Sequence, residues 1–368
     1  ACAGDGAFSH KGGHMNQHVR MGLRLAAAAV LALALANALL AQEEAKSMKT
    51  VIRGGIVYDG TGAAGRKADV LIEGDRIVEI APSITAEDAV EIDATGKVVC
   101  PGFIDVHNHT HESMRVPDDP AACQVPSSVA QGVTTIVAGM DGGGEVDMVK
   151  YAAKMRENPR SVNIARLVGH SAVRWTVLAG GDENRQGQRA RMPEREVTPE
   201  ELSRMAALVE KAMKDGAFGL SSGLEYLGDY VSTEEMIALA KAVAPYGGYY
   251  ETHLRNEDVS VFAATEEAIR ICREGGGIPL SISHIKVSFA AMLGKADGML
   301  EIMNAARADG VKVYANWRSS INWASNLKSF DADGSGDLAA IDAELRKYWP
   351  EADAYLFECP SHPELVGR

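Results

Sequence analysis

The hydrophobic pattern of the chain changes rhythm twice. Residues 21–41 are almost wholly apolar (MGLRLAAAAVLALALANALLA), residues 50–99 alternate short β-rich runs with turn residues, and beyond Pro101 short apolar runs alternate with amphipathic helical stretches. The first block has a basic flank at Arg20 and Arg24 and a small-x-small triplet at Ala36, Asn37 and Ala38, the pattern of a cleavable secretory signal. Its uninterrupted apolar stretch, 25–36, is shorter than the roughly 20 residues a membrane span requires. Residues 1–41 are therefore expected to be a leader, and the mature chain to be exported to a periplasmic or extracellular space without a membrane partner.

In the second block TVIRGGIVYDG, ADVLIEGDRIVEI and VEIDATGKVV read as closely spaced strands. They predict a small antiparallel β unit over 49–98, the N-terminal part of a β-sandwich. The third block repeats strand then helix, with strands expected at 103–109, 134–140, 162–170, 217–223, 248–254, 278–284 and 311–317. Two of the intervening helices mark their own ends. Thr198 and Glu201 form a capping-box pair with Gly216 as terminator, and Ser232 with Glu235 repeats the start signal. Repeated βα units place parallel strands inside and helices outside. Residues 99–368 thus predict an α/β fold, a (β/α)8 TIM-like barrel with seven visible strands and an eighth not recognisable.

Composition narrows the function. Hydrophobic residues at 46% and charged residues at 24% are ordinary globular usage. The 37 Lys+Arg against 50 Asp+Glu give a net charge of −13, and without residues 1–41 the balance is 34 against 49, or −15. A nucleic-acid partner, which needs a basic face, is disfavoured. Cys2, Cys100, Cys123, Cys272 and Cys359 form no CxxC pair, which excludes a zinc ribbon or a dense disulfide scaffold.

Six histidines lie in the body of the chain: His107, His109, His111, His170, His253 and His284. All but His111 fall at the C-terminal end of an expected strand, the edge where barrel enzymes assemble their sites. His107 and His109, two apart on one strand, would project to the same side. His253 and His284 occupy equivalent ends of two later strands. Four convergent imidazoles point to a bound metal, with zinc favoured for a nitrogen-rich hydrolytic site. Three weaker signals stand beside them. Asp331, Asp333, Ser335, Gly336 and Asp342 have calcium-loop spacing, against the plainer reading of an acidic surface loop. Residues 180–196 balance four arginines with four acids, as a solvated loop over the barrel mouth would. Gly142, Gly143 and Gly144 follow a strand but lack GxGxxG spacing and a P-loop lysine.

The strings VCPGFIDVHNH (99–109), QGVTTIVAGMDGG (131–143), GHSAVR (169–174), GAFGLSSGLEY (216–226), ETHLRNE (251–257) and SHIKV (283–287) resemble the amidohydrolase superfamily, and within it the D-aminoacylase or N-acyl-D-amino-acid deacylase branch. The resemblance implies that His107 and His109 bind one metal and His253 and His284 a second. Asp141 stands at the bridging position, where this branch commonly has Cys, so one or two zinc ions are implied. Lys286 matches the family's contact to the substrate carboxylate, and Arg174 and Tyr226 are pocket candidates, against the alternative that each is a barrel-rim salt-bridge or packing group. The family's last essential residue, an Asp at the end of the eighth strand, is expected beyond residue 368, and the chain alone is expected to have little activity.

The expected reaction is metal-dependent hydrolysis of an N-acyl-D-amino acid to a carboxylate and a free D-amino acid. The alternatives are a cyclic-amide or isoaspartyl-dipeptide hydrolase on the same barrel, and a noncatalytic exported metal-binding protein.

Overall fold

A computed structural model describes residues 48–109, 124–157, 160–179, 193–288, 292–317 and 337–348. The leader, His111, most of the arginine-rich loop and the first four calcium-loop positions lie outside the described residues. Asp342, the last of those positions, lies in a helix and pairs with Arg346 at 2.8 Å. The chain divides into two compact units, Ala1–Pro101 and Gly102–Arg368.

In the first unit β1 (Lys49–Val57), β2 (Arg66–Glu73), β3 (Arg76–Ala81), β4 (Val90–Asp93) and β5 (Val98–Val99) form one sheet in the order β3-β2-β1-β4, with β5 also pairing β1. The β2–β3 hairpin turns tightly at Gly74, whose φ of 58° suits glycine. The expected antiparallel unit is corrected to a mixed sheet, because β4 and β5 both run parallel to β1. The segment after β3 passes beyond β2 to reach the far edge of β1, and Asp69 pins it there. The Asp69 carboxylate accepts from the Ile84 and Gly54 backbones and from Arg53, which also donates to the Ile84 carbonyl.

The second unit is a curled parallel sheet of seven strands, an incomplete TIM barrel. Its strands β6 (Phe103–Asp105), β7 (Val133–Ala138), β8 (Asn163–Gly169), β9 (Gly219–Gly223), β10 (Tyr249–His253), β11 (Leu280–Ile282) and β12 (Val313–Ala315) are hydrogen-bonded in sequence order. Its helices are α1 (Pro126–Ala130), α2 (Met148–Glu157), α3 (His170–Leu178), α4 (Pro199–Lys214), α5 (Thr233–Val243), α6 (Val261–Glu274), α7 (Ala296–Ala308) and α8 (Leu338–Tyr348). One face of the sheet packs Val168, Leu220, Tyr250 and Leu280 against Met205, Val209, Met236 and Ile271 of the helices. The opposite face packs Val137, Met140 and Leu167 together. This two-sided burial explains why the strands read as apolar runs.

The helix starts follow the sequence signals. Thr198 accepts from the Glu201 backbone, and the Glu201 carboxylate accepts from Thr198 N–H, closing the box ahead of α4. Such a cap contributes about 1 kcal/mol. Ahead of α5 only half the box forms. Ser232 accepts from the Glu235 backbone, but the Glu235 carboxylate is drawn into a buried ion pair with Arg174 and His170.

Candidate metal centre

The site lies where the parallel strands end. β6 stops at Asp105, two residues before His107, so His107 and His109 do not lie on a strand as expected. β6 is an edge strand with an irregular register against β7. The chain then bends, with His107 N–H donating to Asp105 Oδ1 at 3.2 Å and Asn108 Nδ2 to the Val137 carbonyl at 3.1 Å. The bend still brings the two imidazoles together, with ring centres 5.4 Å apart.

Asp141 is delivered by a strained loop after β7. Gly139, Asp141 and Gly142 all have left-handed φ values, 91°, 54° and 76°. Asp tolerates this conformation better than most residues with a side chain. The loop lies so close to β8 that a Cβ on Gly169 would sit 2.2 Å from both Gly142 O and Gly144 N. Ser221 of β9 accepts from Gly142 N–H and donates to the Gly139 carbonyl. Held this way, Asp141 Oδ2 comes within 3.4 Å of His109 Nε2.

His253 ends β10, and His284 follows β11 with a φ of 34°. That left-handed turn is fixed by His284 N–H donating to Asn316 Oδ1 at 2.6 Å. His253 Nδ1 and His284 Nε2 converge to 3.0 Å, and the Tyr226 hydroxyl is 3.0 Å from the same His253 nitrogen. The outward nitrogens are held by carboxylates. His253 Nε2 pairs with Glu225 and lies 3.5 Å from Glu257, while His284 Nδ1 is 3.1 Å from Glu257. Lys286 pairs with Glu257 and lies 3.1 Å from His284 Nδ1.

These contacts set the charges. Burial alone would raise the Glu257 carboxyl, but His284, His253 and Lys286 outweigh it and push it down to about 2. Burial lowers the His284 pKa, and Lys286 and His253 add to this against the pull of Glu257, which favours the neutral ring a metal needs. Burial works against charge on His107 too, but Glu251 reverses it and the pKa rises. Burial raises the Tyr226 phenol, so its hydroxyl stays protonated and can donate.

His107, His109 and Asp141 offer ligand atoms within 4.8 Å of one another, as do Asp141, His253 and His284, so Asp141 is common to both groups. The donor set fits zinc: four imidazoles and a carboxylate. His107 Nε2 and Asp141 Oδ1 are moreover buried without a hydrogen-bond partner among the described residues, as a ligand atom is before its ion binds.

The structure places Arg174 elsewhere. It is fully buried on α3 and donates to both Glu235 oxygens at 2.8 and 2.6 Å and to the Arg195 carbonyl, over the Tyr230 ring. His170, which begins α3 instead of ending its strand, joins the same pair at 2.7 Å. Four residues of the site were not anticipated: Glu225, Glu251, Glu257 and Asn316. Glu251 lay open to sequence reasoning, because it shares a strand face with His253 two residues on.

Residues 90–362 match the family model described as the amidohydrolase family. The chain belongs to the amidohydrolase family. This amidohydrolase is 32% identical over 293 residues to the D-aminoacylase of Alcaligenes xylosoxydans xylosoxydans, an alignment covering 73% of this chain and 57% of that protein. A solved D-aminoacylase, described for the functional role of its binuclear metal center, matches with a TM-score of 0.71 and 30% identity over 87% of this chain and 65% of that one. An N-acyl-D-glutamate deacylase from Bordetella bronchiseptica, solved with zinc and a phosphonate inhibitor mimicking the tetrahedral intermediate, matches with a TM-score of 0.70 and 26% identity over 88% and 66%. The chain thus spans less than two thirds of the length of these relatives.

Proposed function

We propose that the protein to which this chain contributes hydrolyses the amide of N-acyl-D-amino acids to a carboxylate and a free D-amino acid, using one or two zinc ions. The observation carrying this reading is the convergence of His107, His109, His253 and His284 on the shared carboxylate of Asp141 at the C-terminal strand edge. The substrate class is supported by the names of the relatives, a D-aminoacylase and an N-acyl-D-glutamate deacylase.

Zinc, when bound, brings the pKa of its water toward roughly 7 and polarises a carbonyl, which meets the poor nucleophilicity of water in amide hydrolysis. Residues of this chain supply part of the remaining environment. Asp141 is the carboxylate common to both histidine pairs and would hold the ion or ions together with them. Tyr226 directs a protonated hydroxyl at the His253 side of the site, where it can donate to an oxygen gaining charge. Lys286 is the cation for the substrate α-carboxylate, and Glu257 holds it beside His284 until a substrate competes for it.

The test is amine release from N-acetyl-D- and N-acetyl-L-amino acids by the full gene product, before and after chelation and zinc re-addition. Turnover of the D series alone, lost on chelation and restored by zinc, is expected. Equal turnover of both series, or turnover indifferent to chelation, overturns the reading. Export is proposed from residues 21–41 and is checked by the N-terminus of the mature protein, expected near residue 39 to 42.

A further inference from the structure

We infer that Glu251 is a positioning residue that fixes the tautomer of His107 and thereby selects which of its nitrogens meets the metal. The inference rests on the metal reading above. Glu251 lies on β10 on the same face as His253, one layer deeper, with no solvent exposure. Its Oε1 accepts from three separate elements: His107 Nδ1 at 2.8 Å from the bend after β6, Ser283 Oγ at 3.1 Å after β11, and Asn316 Nδ2 at 3.2 Å after β12.

A carboxylate can only accept, so its partner His107 Nδ1 carries the proton. The lone pair of the neutral ring is then on Nε2, the atom that is buried without a hydrogen-bond partner among the described residues. A carboxylate behind a ligating imidazole orients the ring and raises its basicity. Asn316 extends the control to the other half of the site. The same amide that donates to Glu251 accepts from His284 N–H and holds His284 in its left-handed turn. One buried carboxylate therefore ties His107 to His284 through Asn316.

The experiment uses the full chain labelled with 15N in its histidine rings. Imidazole spectra in alkaline buffer, where the rings are neutral, read the tautomer without metal, and calorimetric titration with zinc alone reads affinity. In the wild type His107 is expected as the Nδ1–H form. Glu251→Ala is expected to return it to the Nε2–H form and to weaken zinc binding by roughly 10- to 100-fold. Glu251→Gln keeps the volume and one accepting oxygen, so it is the variant to use if the alanine form does not fold. It is expected to lose less affinity in the same direction. A wild-type His107 in the Nε2–H form overturns the inference, as does a folded Glu251→Ala that binds zinc with unchanged affinity. A wild-type chain that binds no zinc yet shows His107 as Nδ1–H overturns the metal reading and the ligand role of Nε2, and leaves the tautomer assignment standing.

Discussion

Replacing Arg174 by Met tests whether this arginine serves substrate binding or folding. The Arg174 and Glu235 side chains are 0% and 1% exposed, so solvent does not screen their pair. Removing one partner of a buried ion pair typically costs about 3–5 kcal/mol, because the other charge is left buried. His170 Nε2 remains 2.7 Å from Glu235 and keeps one donor on it, so the low end, about 3 kcal/mol, is expected. For a unit of this size about 3 kcal/mol corresponds to a fall in melting temperature of roughly 6–12 °C. Scanning calorimetry of wild type, Arg174→Met, Glu235→Gln and the double variant measures it. The Arg174 change should cost markedly less in the Gln background, since partners in one network are coupled. The dependence on pH has a defined sign. Burial would raise the Glu235 carboxyl, but His170 and Arg174 hold it below the ordinary glutamate value. A depressed folded pKa stabilises above the unfolded value, and the contribution is lost as pH falls through the folded one. The gap between wild type and Arg174→Met should therefore close under acid. A folded Arg174→Met with unchanged melting temperature and abolished substrate binding would instead place the residue in the pocket.

Three further outcomes follow from the same geometry. Asp141→Asn keeps a residue type that tolerates a φ of 54°, so thermal stability should hold within about 1 kcal/mol. Zinc affinity should nevertheless fall by more than the roughly 10- to 100-fold of an outer-shell change; titration with zinc checks both halves. Gly169→Ala places a methyl 2.2 Å from the backbone of the Asp141 loop, and calorimetry should show a loss of at least about 1–3 kcal/mol together with weaker zinc binding. Lys286→Met removes the charge proposed for the substrate carboxylate, a hydrogen bond of about 1.5–3 kcal/mol. KM should rise roughly tenfold or more with kcat little changed, and an unchanged KM would remove Lys286 from substrate binding.

Local chemistry made much of this architecture legible in the sequence. Thr198 and Ser232 announced α4 and α5 through their side-chain oxygens, and the alternation of apolar runs with amphipathic stretches foretold the parallel sheet. The convergence of four histidines was readable because strand ends in such a sheet share one edge, although His107 and His109 reach it from the bend after β6 and His284 from the turn after β11. What stayed hidden depended on partners distant in sequence. β4 pairs parallel with β1 rather than with the strand before it, which no local pattern encodes. Glu235 had the spacing of a capping-box residue, but a buried arginine 61 positions away claimed its carboxylate. Glu251 and Glu257 flank His253 in a single heptapeptide, yet their roles appear only once His107, 144 residues away, and Lys286 are set beside them.

The proposed reaction depends on zinc held by His107, His109, Asp141, His253 and His284. The direct measurement is zinc content per chain after dialysis, for the wild type and for His107→Ala, His253→Ala and His284→Ala variants that melt cooperatively. At least one tightly held zinc is expected in the wild type, with its loss or marked depletion in the variants. A wild-type chain without zinc, or variants that retain the full amount, would contradict that expectation.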